Sequence, residues 1–310
     1  MRLFDLHCDT LYRTVTESGS LNYKKFEISV DKASYLDNWI QCFAVWIPDD
    51  ISSYEVQPLF DKAYKMLQKQ CELHNIKLCN NFTDVDSNSK YKCFFTVENG
   101  RVLQGDLEYI KKLKACNVKI LTLTWNGDNE ISSGALSNSK FGLTYFGKSA
   151  VKELENNGII IDVSHLSQRG FYDVAEIATK PFIATHSNSK AVTNHIRNLT
   201  NEQFNIIKSN GGIVGINFHN SFLNNREEEA SINDIFKHTE HFLSLGGENT
   251  IAIGTDFDGG KLPRDIKGID TIEQIYDKFL QLNYSETLLD KIFFKNAYNL
   301  CQNFDNLQIM

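Results

Sequence analysis

The sequence predicts an α/β fold in which eight parallel strands and their helices close into a (β/α)8 barrel of the TIM type. Eight short apolar segments alternate with amphipathic segments along the 310 residues, an order typical of barrels built from repeated strand–helix units. The apolar segments are near-continuous runs of Val, Ile, Leu and Phe, as expected for parallel strands covered on both faces. Five of them also end on a His, Asp or Glu, which indicates one shared site at the strand ends.

The predicted elements follow one another in order along the chain. Strands are expected at residues 2–8, 39–47, 92–98, 118–125, 159–164, 182–186, 212–218 and 250–256. Helices are expected at residues 54–74, 106–115, 144–157, 168–178, 200–209, 231–244 and 271–281, with a last helix near 285–300. Residues that favour helix ends support two of these helices: Thr200 precedes one, and another is opened by Ser231 or Asn233 and followed by Gly246.

An open, doubly wound sheet is the alternative arrangement of the same elements. It is disfavoured because no GxGxxG motif follows the first strand, and because ligand-type residues occur on strands one, three, five, six and eight. A closed barrel brings all five strand ends to one rim. No linker or low-complexity segment divides the chain, so we expect a single catalytic domain over residues 1–310.

The composition excludes several classes of function. A net charge of −7 and a pI near 5.6 provide no basic stripe that would neutralise nucleic-acid phosphates. No apolar run approaches the ~20 residues that a membrane-spanning helix needs, and we expect no leader or lipid anchor. The seven cysteines show no regular spacing, which argues against a disulfide framework and favours a cytoplasmic protein.

The strand ends supply the candidate functional residues. They lie in LFDLHCDT, CFFTVENG, IIIDVSHLS, FIATHS and IAIGTDFDGG, and are His7, Asp9, Glu98, His165, His186 and Asp256. Because alternate residues of a strand share a face, His7 and Asp9 point the same way. Imidazole and carboxylate groups together favour a divalent metal ion, so the sequence predicts a metal site at the rim.

Each candidate has an ordinary explanation when it is considered alone. Glu98 precedes Asn99-Gly100 and could open a turn, and a His or Asp at a strand end is often a satisfied polar group. However, the apolar residues before Glu98 would bury its carboxylate, which is costly unless a cation pairs with it. The functional interpretation therefore rests on all the residues occurring together.

Three His and three acidic residues are more than one tetrahedral zinc needs, and they suit a site for two zinc ions. We expect Glu98 to bridge both ions, with His7 and Asp9 completing one and His165 and His186 the other. Two divalent ions lower the pKa of a shared water toward neutrality, and Asp256 remains as the acid/base. Mn²⁺ or Co²⁺ could replace Zn²⁺ in such a mixed site.

At this point the chain resembles the membrane (renal) dipeptidase family of zinc peptidases, and particularly its bacterial-type members without a membrane anchor. The likeness extends from FDLHCDT through FTVENG, LTLTWN, GLTYFGK, IIIDVSHLS, FIATHSNSKAV, HIRNLT and GGIVGINF to IGTDFDGG. It implies a dipeptide substrate, and the same metal ligands and acid/base as argued above. It also implies that Arg197 holds the carboxylate of the substrate, although an Arg in such a loop could equally be a surface charge.

One departure from the family pattern concerns substrate binding. Some members carry a His in the loop after the fourth strand, where this chain has Trp125. Either another donor replaces it, with His219 and Asn126 as candidates, or the substrate preference differs. His219 could otherwise be an ordinary histidine of the rim.

Further expectations concern loops, helices and assembly. The polar segment 127–140 is expected to lie over the strand ends and shape the substrate pocket, and His74, His238 and His241 are expected to face solvent on helices. The fold and the resemblance suggest a homodimer. Two other functions stay open: a metal hydrolase of another small amide, lactam, lactone or phosphoester, and a non-catalytic barrel that serves as a scaffold.

Overall fold

The computed structural model describes residues 1–306 and has strands alternating with helices throughout. The strands are β1 Arg2–Cys8, β2 Asn38–Trp46, β3 Lys77–Leu78, β4 Tyr91–Glu98, β5 Val118–Thr122, β6 Ile160–Asp162, β7 Val214–Ile216 and β8 Ile251–Ile253. The helices are α1 Thr10–Arg13, α2 Ser53–His74, α3 Glu108–Ala115, α4 Tyr145–Asn156, α5 Gln168–Ile177, α6 Asn201–Ser209, α7 Asn220–Leu223, α8 Ile232–Ser244, α9 Ile272–Gln281, α10 Glu286–Asp290 and α11 Asn296–Asn306. Within these residues no helix is both long and apolar enough to cross a membrane.

The strands form a closed parallel ring, which confirms the predicted barrel. β1 pairs with β2 on one side and with β8 on the other, and the ring continues through β4, β5 and β6. β7 pairs with β8. The segment 182–186 closes the ring, since Ile183 bridges to Asp162 and Ala184 bridges to Val214. The short strand β3, which the sequence did not predict, pairs beside β4 outside this ring.

Several strands are shorter than predicted, because side-chain carboxylates replace strand neighbours as hydrogen-bond acceptors. The backbone N–H of Thr185 donates to Asp162 Oδ1 at 2.9 Å, so residues 182–186 form isolated bridges rather than a regular strand. In the same way the N–H of Thr255 donates to Asp5 Oδ1 at 2.9 Å, beyond the end of β8. Asp5 thus ends the pairing of β1 with β8, and Asp162 ends the pairing of β5 with β6.

Inward-facing apolar residues fill the barrel interior, and α11 with the turn before it closes one end of the barrel. One buried cluster takes residues from all eight segments of the ring, including Phe4, Phe94 and Ile183. Phe304 of α11 belongs to the same cluster, together with Phe294 from the π-helical turn Lys291–Lys295 that joins α10 to α11. The last predicted helix therefore extends beyond residue 300. It covers the end of the barrel that lies opposite the carboxyl ends of the strands.

The helix boundaries agree with the capping signals. Thr200 and Ser231 are the N-cap residues of α6 and α8, and each forms a reciprocal capping box. One expectation for α8 is wrong: His238 is completely buried, where its Nδ1 accepts from the N–H of Ser189 at 3.1 Å. His74 and His241 are partly exposed.

Candidate metal centre at the strand ends

The six strand-end residues meet at one end of the barrel, around the carboxylate of Glu98. Its Oε1 lies 3.0 Å from His165 Nε2 and 3.7 Å from His186 Nε2. Its Oε2 lies 3.8 Å from His7 Nε2. The rings of His7 and His186 are 4.0 Å apart between centroids. One oxygen of Glu98 thus faces His165 and His186, and the other faces His7.

A β-bulge turns His7 toward this centre. Asp5 pairs with Gln41 and Cys8 pairs with Phe43, so β1 has one more residue than β2 in this interval. Leu6 at the start of the bulge packs inside the barrel, whereas Cys8 at its end belongs to the outer apolar layer. The inserted residue thus allows His7 and Asp9 to share the inner face, and Asp9 Oδ2 lies 3.4 Å from His7 Nε2.

Hydrogen bonds fix the tautomers of two histidines. His165 Nδ1 lies 3.0 Å from Asn126 Oδ1, an acceptor, so Nδ1 carries the proton. The hydroxyl of Thr185 donates to Asp162 Oδ2 and therefore accepts from His186 Nδ1, which is 2.7 Å away. In both rings the lone pair is consequently on Nε2, the atom that faces Glu98.

The electrostatics of the cluster call for a cation. Burial lowers the pKa of His165 and of His186 well below the usual range, so both are neutral. Burial raises the pKa of Glu98, and the charge of Asp9 raises it further. Burial opposes a charge on His7, but Glu98, Asp9 and Asp256 outweigh it and raise its pKa to about 10. The raised pKa values of Glu98 and His7 thus reflect a concentration of buried negative charge, which a bound cation would neutralise.

Unpartnered atoms in this cluster fit divalent ions. His7 Nε2, Asp9 Oδ1 and His186 Nε2 are buried and have no hydrogen-bond partner among the described residues. Two groups have ligand atoms within 4.8 Å of one another, namely His7, Glu98 and His186, and His7, Asp9 and Asp256. The residues present therefore suit a metal centre. The second group includes Asp256, for which the sequence predicts an acid/base role instead.

Asp256 is held in a strained backbone conformation beside the histidines. Its φ is 62°, and that of His165 is 68°, so both lie in the left-handed region that non-glycine residues rarely adopt. Asn217 donates from Nδ2 to Asp256 Oδ2 at 2.9 Å. Burial raises the pKa of Asp256 to about 6, while the charge of His7 and the Asn217 hydrogen bond oppose this rise. Such a pKa suits a group that exchanges protons near neutral pH.

A cavity of about 390 Å³ opens above the cluster. Its wall includes Trp125, Asn126 and His219, three of the residues predicted to bind substrate. Trp125 packs against Trp46 with ring centroids 4.8 Å apart. Asn126 contacts His165, so it positions that histidine from the wall of the cavity. Leu136 also lines the cavity, which places the loop 127–140 over the strand ends as expected.

Arg197 lies beside this cavity rather than in its wall. Its guanidinium carbon is 5.3 Å from the ring centroid of Phe222, which does line the cavity. The side chain is buried, and its Nε and Nη2 have no hydrogen-bond partner among the described residues. Burial lowers the pKa of Arg197 to about 10, so the group stays charged at neutral pH. The alternative that Arg197 is an ordinary surface charge is therefore excluded.

Sequence reasoning missed several residues that shape this site. Trp46 ends β2, and Asn217 follows β7 at the same end of the barrel, so the strand-end argument could have found both. Asp162 also ends a strand, β6, but its role and that of Thr185 could not be foreseen, because they depend on a contact between neighbouring strands.

Comparison with known proteins identifies the family of the chain. The family model "Membrane dipeptidase (Peptidase family M19)" matches residues 1–308. The chain belongs to the membrane dipeptidase family.

The chain is also similar to individual proteins. An uncharacterised protein encoded in the pqqA 5′ region of Klebsiella pneumoniae is 30% identical over 242 residues, which cover 74% of this chain and 89% of that protein. Human Dipeptidase 3 is 27% identical over 73% of this chain, and the match covers 48% of its own length. The chain thus spans about half the length of this human relative.

Solved structures agree with the membrane dipeptidase fold. Dipeptidase AC, a metallopeptidase of family M19, has a TM-score of 0.90 at 25% identity and covers 97% of this chain and 98% of its own. A metallopeptidase from Rhodobacter sphaeroides, liganded with a phosphinate mimic of the dipeptide L-Ala-D-Ala, has a TM-score of 0.89 at 24% identity. That match covers 97% of this chain and 99% of the other, and at this identity it supports the fold.

Proposed function

We propose that this member of the membrane dipeptidase family hydrolyses dipeptides with the help of two divalent ions, zinc in the first instance. The observation that carries the proposal is Glu98 among three histidines, of which His165 and His186 direct Nε2 lone pairs at its carboxylate. His7, Asp9 and Glu98 would hold one ion, and Glu98, His165 and His186 the other. When bound, such ions polarise a carbonyl and lower the pKa of water.

The protein's own residues would bind the substrate and move the proton. Arg197 offers unpartnered Nε and Nη2 donors to the terminal carboxylate of a peptide. Asp256 Oδ1, which lies 3.8 Å from His7 Nε2, would accept the proton of the attacking water and deliver it to the leaving amine. Trp125 and Trp46 form an aromatic wall of the cavity that limits access of bulk water.

Metal analysis combined with a substrate panel tests this function. The purified protein is expected to contain two equivalents of zinc and to hydrolyse dipeptides, with loss of activity on chelation and recovery on adding Zn²⁺, Mn²⁺ or Co²⁺. The same panel contains a tripeptide, a β-lactam, a lactone and a phosphodiester. Faster hydrolysis of any of the last three would favour the alternative of another small-molecule hydrolase, and no hydrolysis by the metal-loaded protein would favour a scaffold.

A further inference from the structure

A second cavity of about 490 Å³ adjoins the metal cavity. His165 lines both cavities, so they adjoin at this residue. Arg197 lines the second cavity and contacts Phe222 of the first. A molecule that reacts at Glu98 and binds Arg197 through a carboxylate would therefore reach the entrance of this second space.

The wall of the second cavity is positively charged. Among the described residues that line it there is no Asp or Glu. Four of them are cationic, namely Lys140, Arg169, Lys190 and Arg197. Arg169 is exposed and paired with Asp173 at 3.1 Å, so it contributes little to the interior. Lys190 is partly buried and Arg197 is buried, and their charges are therefore less screened by water.

Two further observations indicate an anionic ligand. Ser187 is 2% exposed, lines the cavity, and its Oγ has no hydrogen-bond partner among the described residues. The first turns of α5 and α6 border the same space at Gln168 and Thr200, and helix N-termini carry partial positive charge. An apolar ligand would leave the Arg197 and Ser187 donors desolvated and unpaired, which is costly.

We propose that the second cavity receives the side chain of the substrate's C-terminal residue and selects an acidic one, glutamate or aspartate. This inference rests on the proposed dipeptidase function and names its substrate class. Arg197 binds the terminal carboxylate at the junction of the two cavities. Lys190, assisted by the Ser187 hydroxyl, binds the side-chain carboxylate within the second cavity, while apolar residues such as Leu199 contact the methylene groups.

The test compares substrates that differ only in charge. Ala-Glu and Ala-Gln, with the C-terminal residue in either configuration, are hydrolysed by the metal-loaded enzyme, and the ratio of their kcat/KM values is measured. We expect a ratio of about ten or more in favour of Ala-Glu, because one charge-assisted hydrogen bond is worth roughly that factor. In Lys190→Gln this ratio is expected to fall by about tenfold, and in Lys190→Arg to be kept.

Lys148→Gln is the matched control, since it removes the same charge from an exposed residue that lines neither cavity. Equal rates for the two substrates in the wild type, or an unchanged ratio in Lys190→Gln, would overturn the inference. Calorimetric binding of free glutamate against glutamine gives a readout that does not depend on turnover. If no dipeptide is cleaved but glutamate binds preferentially and Lys190→Gln removes this preference, the proposed function fails and the acidic selectivity of the cavity stands.

Discussion

Asn217 donates a hydrogen bond from Nδ2 to Asp256 Oδ2 at 2.9 Å, and its own Oδ1 accepts from the backbone N–H of His219. This side chain therefore connects the ends of two neighbouring strands and fixes the orientation of the proposed proton carrier. The hydrogen bond also lowers the pKa of Asp256, against the larger effect of burial. Asn217 is accordingly a positioning residue whose loss should alter how activity depends on pH.

We expect Asn217→Ala to move the acidic limb of the kcat/KM profile upward by roughly one pH unit, because a hydrogen bond to the ionised form has been removed. The sign follows from the structure: without the donor, the carboxylate of Asp256 binds its proton more tightly. Profiles measured between pH 5 and 9 check the shift. A uniform loss of rate without displacement of the limb would indicate a purely structural role.

Asp256→Asn should lower turnover by about 10²–10⁴-fold, since an amide cannot carry the proton. We expect the metal content to remain unchanged, as measured by elemental analysis of the same preparation. Near-normal activity would remove Asp256 from its proposed role. Loss of metal would instead make it a ligand in the group that it forms with His7 and Asp9.

Glu98→Gln should lose at least one of two metal equivalents, because one bridging carboxylate is replaced by a neutral amide. Elemental analysis after dialysis against metal-free buffer measures the change. The exposed Glu130→Gln makes the same chemical change away from the cluster and should keep both equivalents. An unchanged stoichiometry in Glu98→Gln would contradict the bridging role.

Gly259→Ala should reduce kcat/KM by roughly 100-fold, because small displacements of reacting groups are costly. A Cβ atom at this position would lie 2.1 Å from Asp9 Oδ2 and 2.6 Å from Asp256 Oδ1, so at least one carboxylate must move. Gly260→Ala is the neighbouring comparison, since its Cβ would instead meet His219 Cδ2 at 2.0 Å. We expect metal loss in the first variant and full metal content in the second; equal metal content would contradict the geometric argument.

His238 should make stability fall in mildly acidic solution. Burial lowers its pKa from 6.5 to about 4 in the folded protein. Above pH 6.5 the residue is neutral in both states, and below it the unfolded chain binds a proton that the folded protein does not. Unfolding free energy should therefore decline by at most about 3 kcal/mol between pH 6.5 and 4 from this residue.

Denaturant unfolding at several pH values measures this contribution. His238→Gln is expected to be less stable at pH 7, where its hydrogen bond with Ser189 is perturbed, and to lose less stability on acidification than the wild type. His241→Gln, at a partly exposed position of the same helix, should retain the wild-type slope. An equal slope in the His238 variant would show that other groups cause the acid sensitivity.

Patterns in the amino-acid sequence predict the barrel and most of the residues at its rim. Apolar runs of strand length predicted every segment of the ring, and residues such as Glu98 could be recognised because each stands where an apolar run ends. This works because parallel strands of a barrel share one direction, so their carboxyl ends must meet. The family resemblance named the same residues and added a dipeptide substrate, which stays a proposal for this chain.

How those residues face one another depends on contacts between elements that are distant in the sequence. The bulge that turns His7 inward depends on pairing between β1 and β2. The tautomer of His165 depends on Asn126, and that of His186 depends on Asp162, which orients the hydroxyl of Thr185 from a neighbouring strand. The burial of His238 and the cationic cavity beside Arg197 likewise arise from elements distant in sequence. The periodicity of apolar residues indicates which face of its own helix or strand a residue occupies. These contacts instead depend on the register and packing between elements, which are defined only in the folded chain.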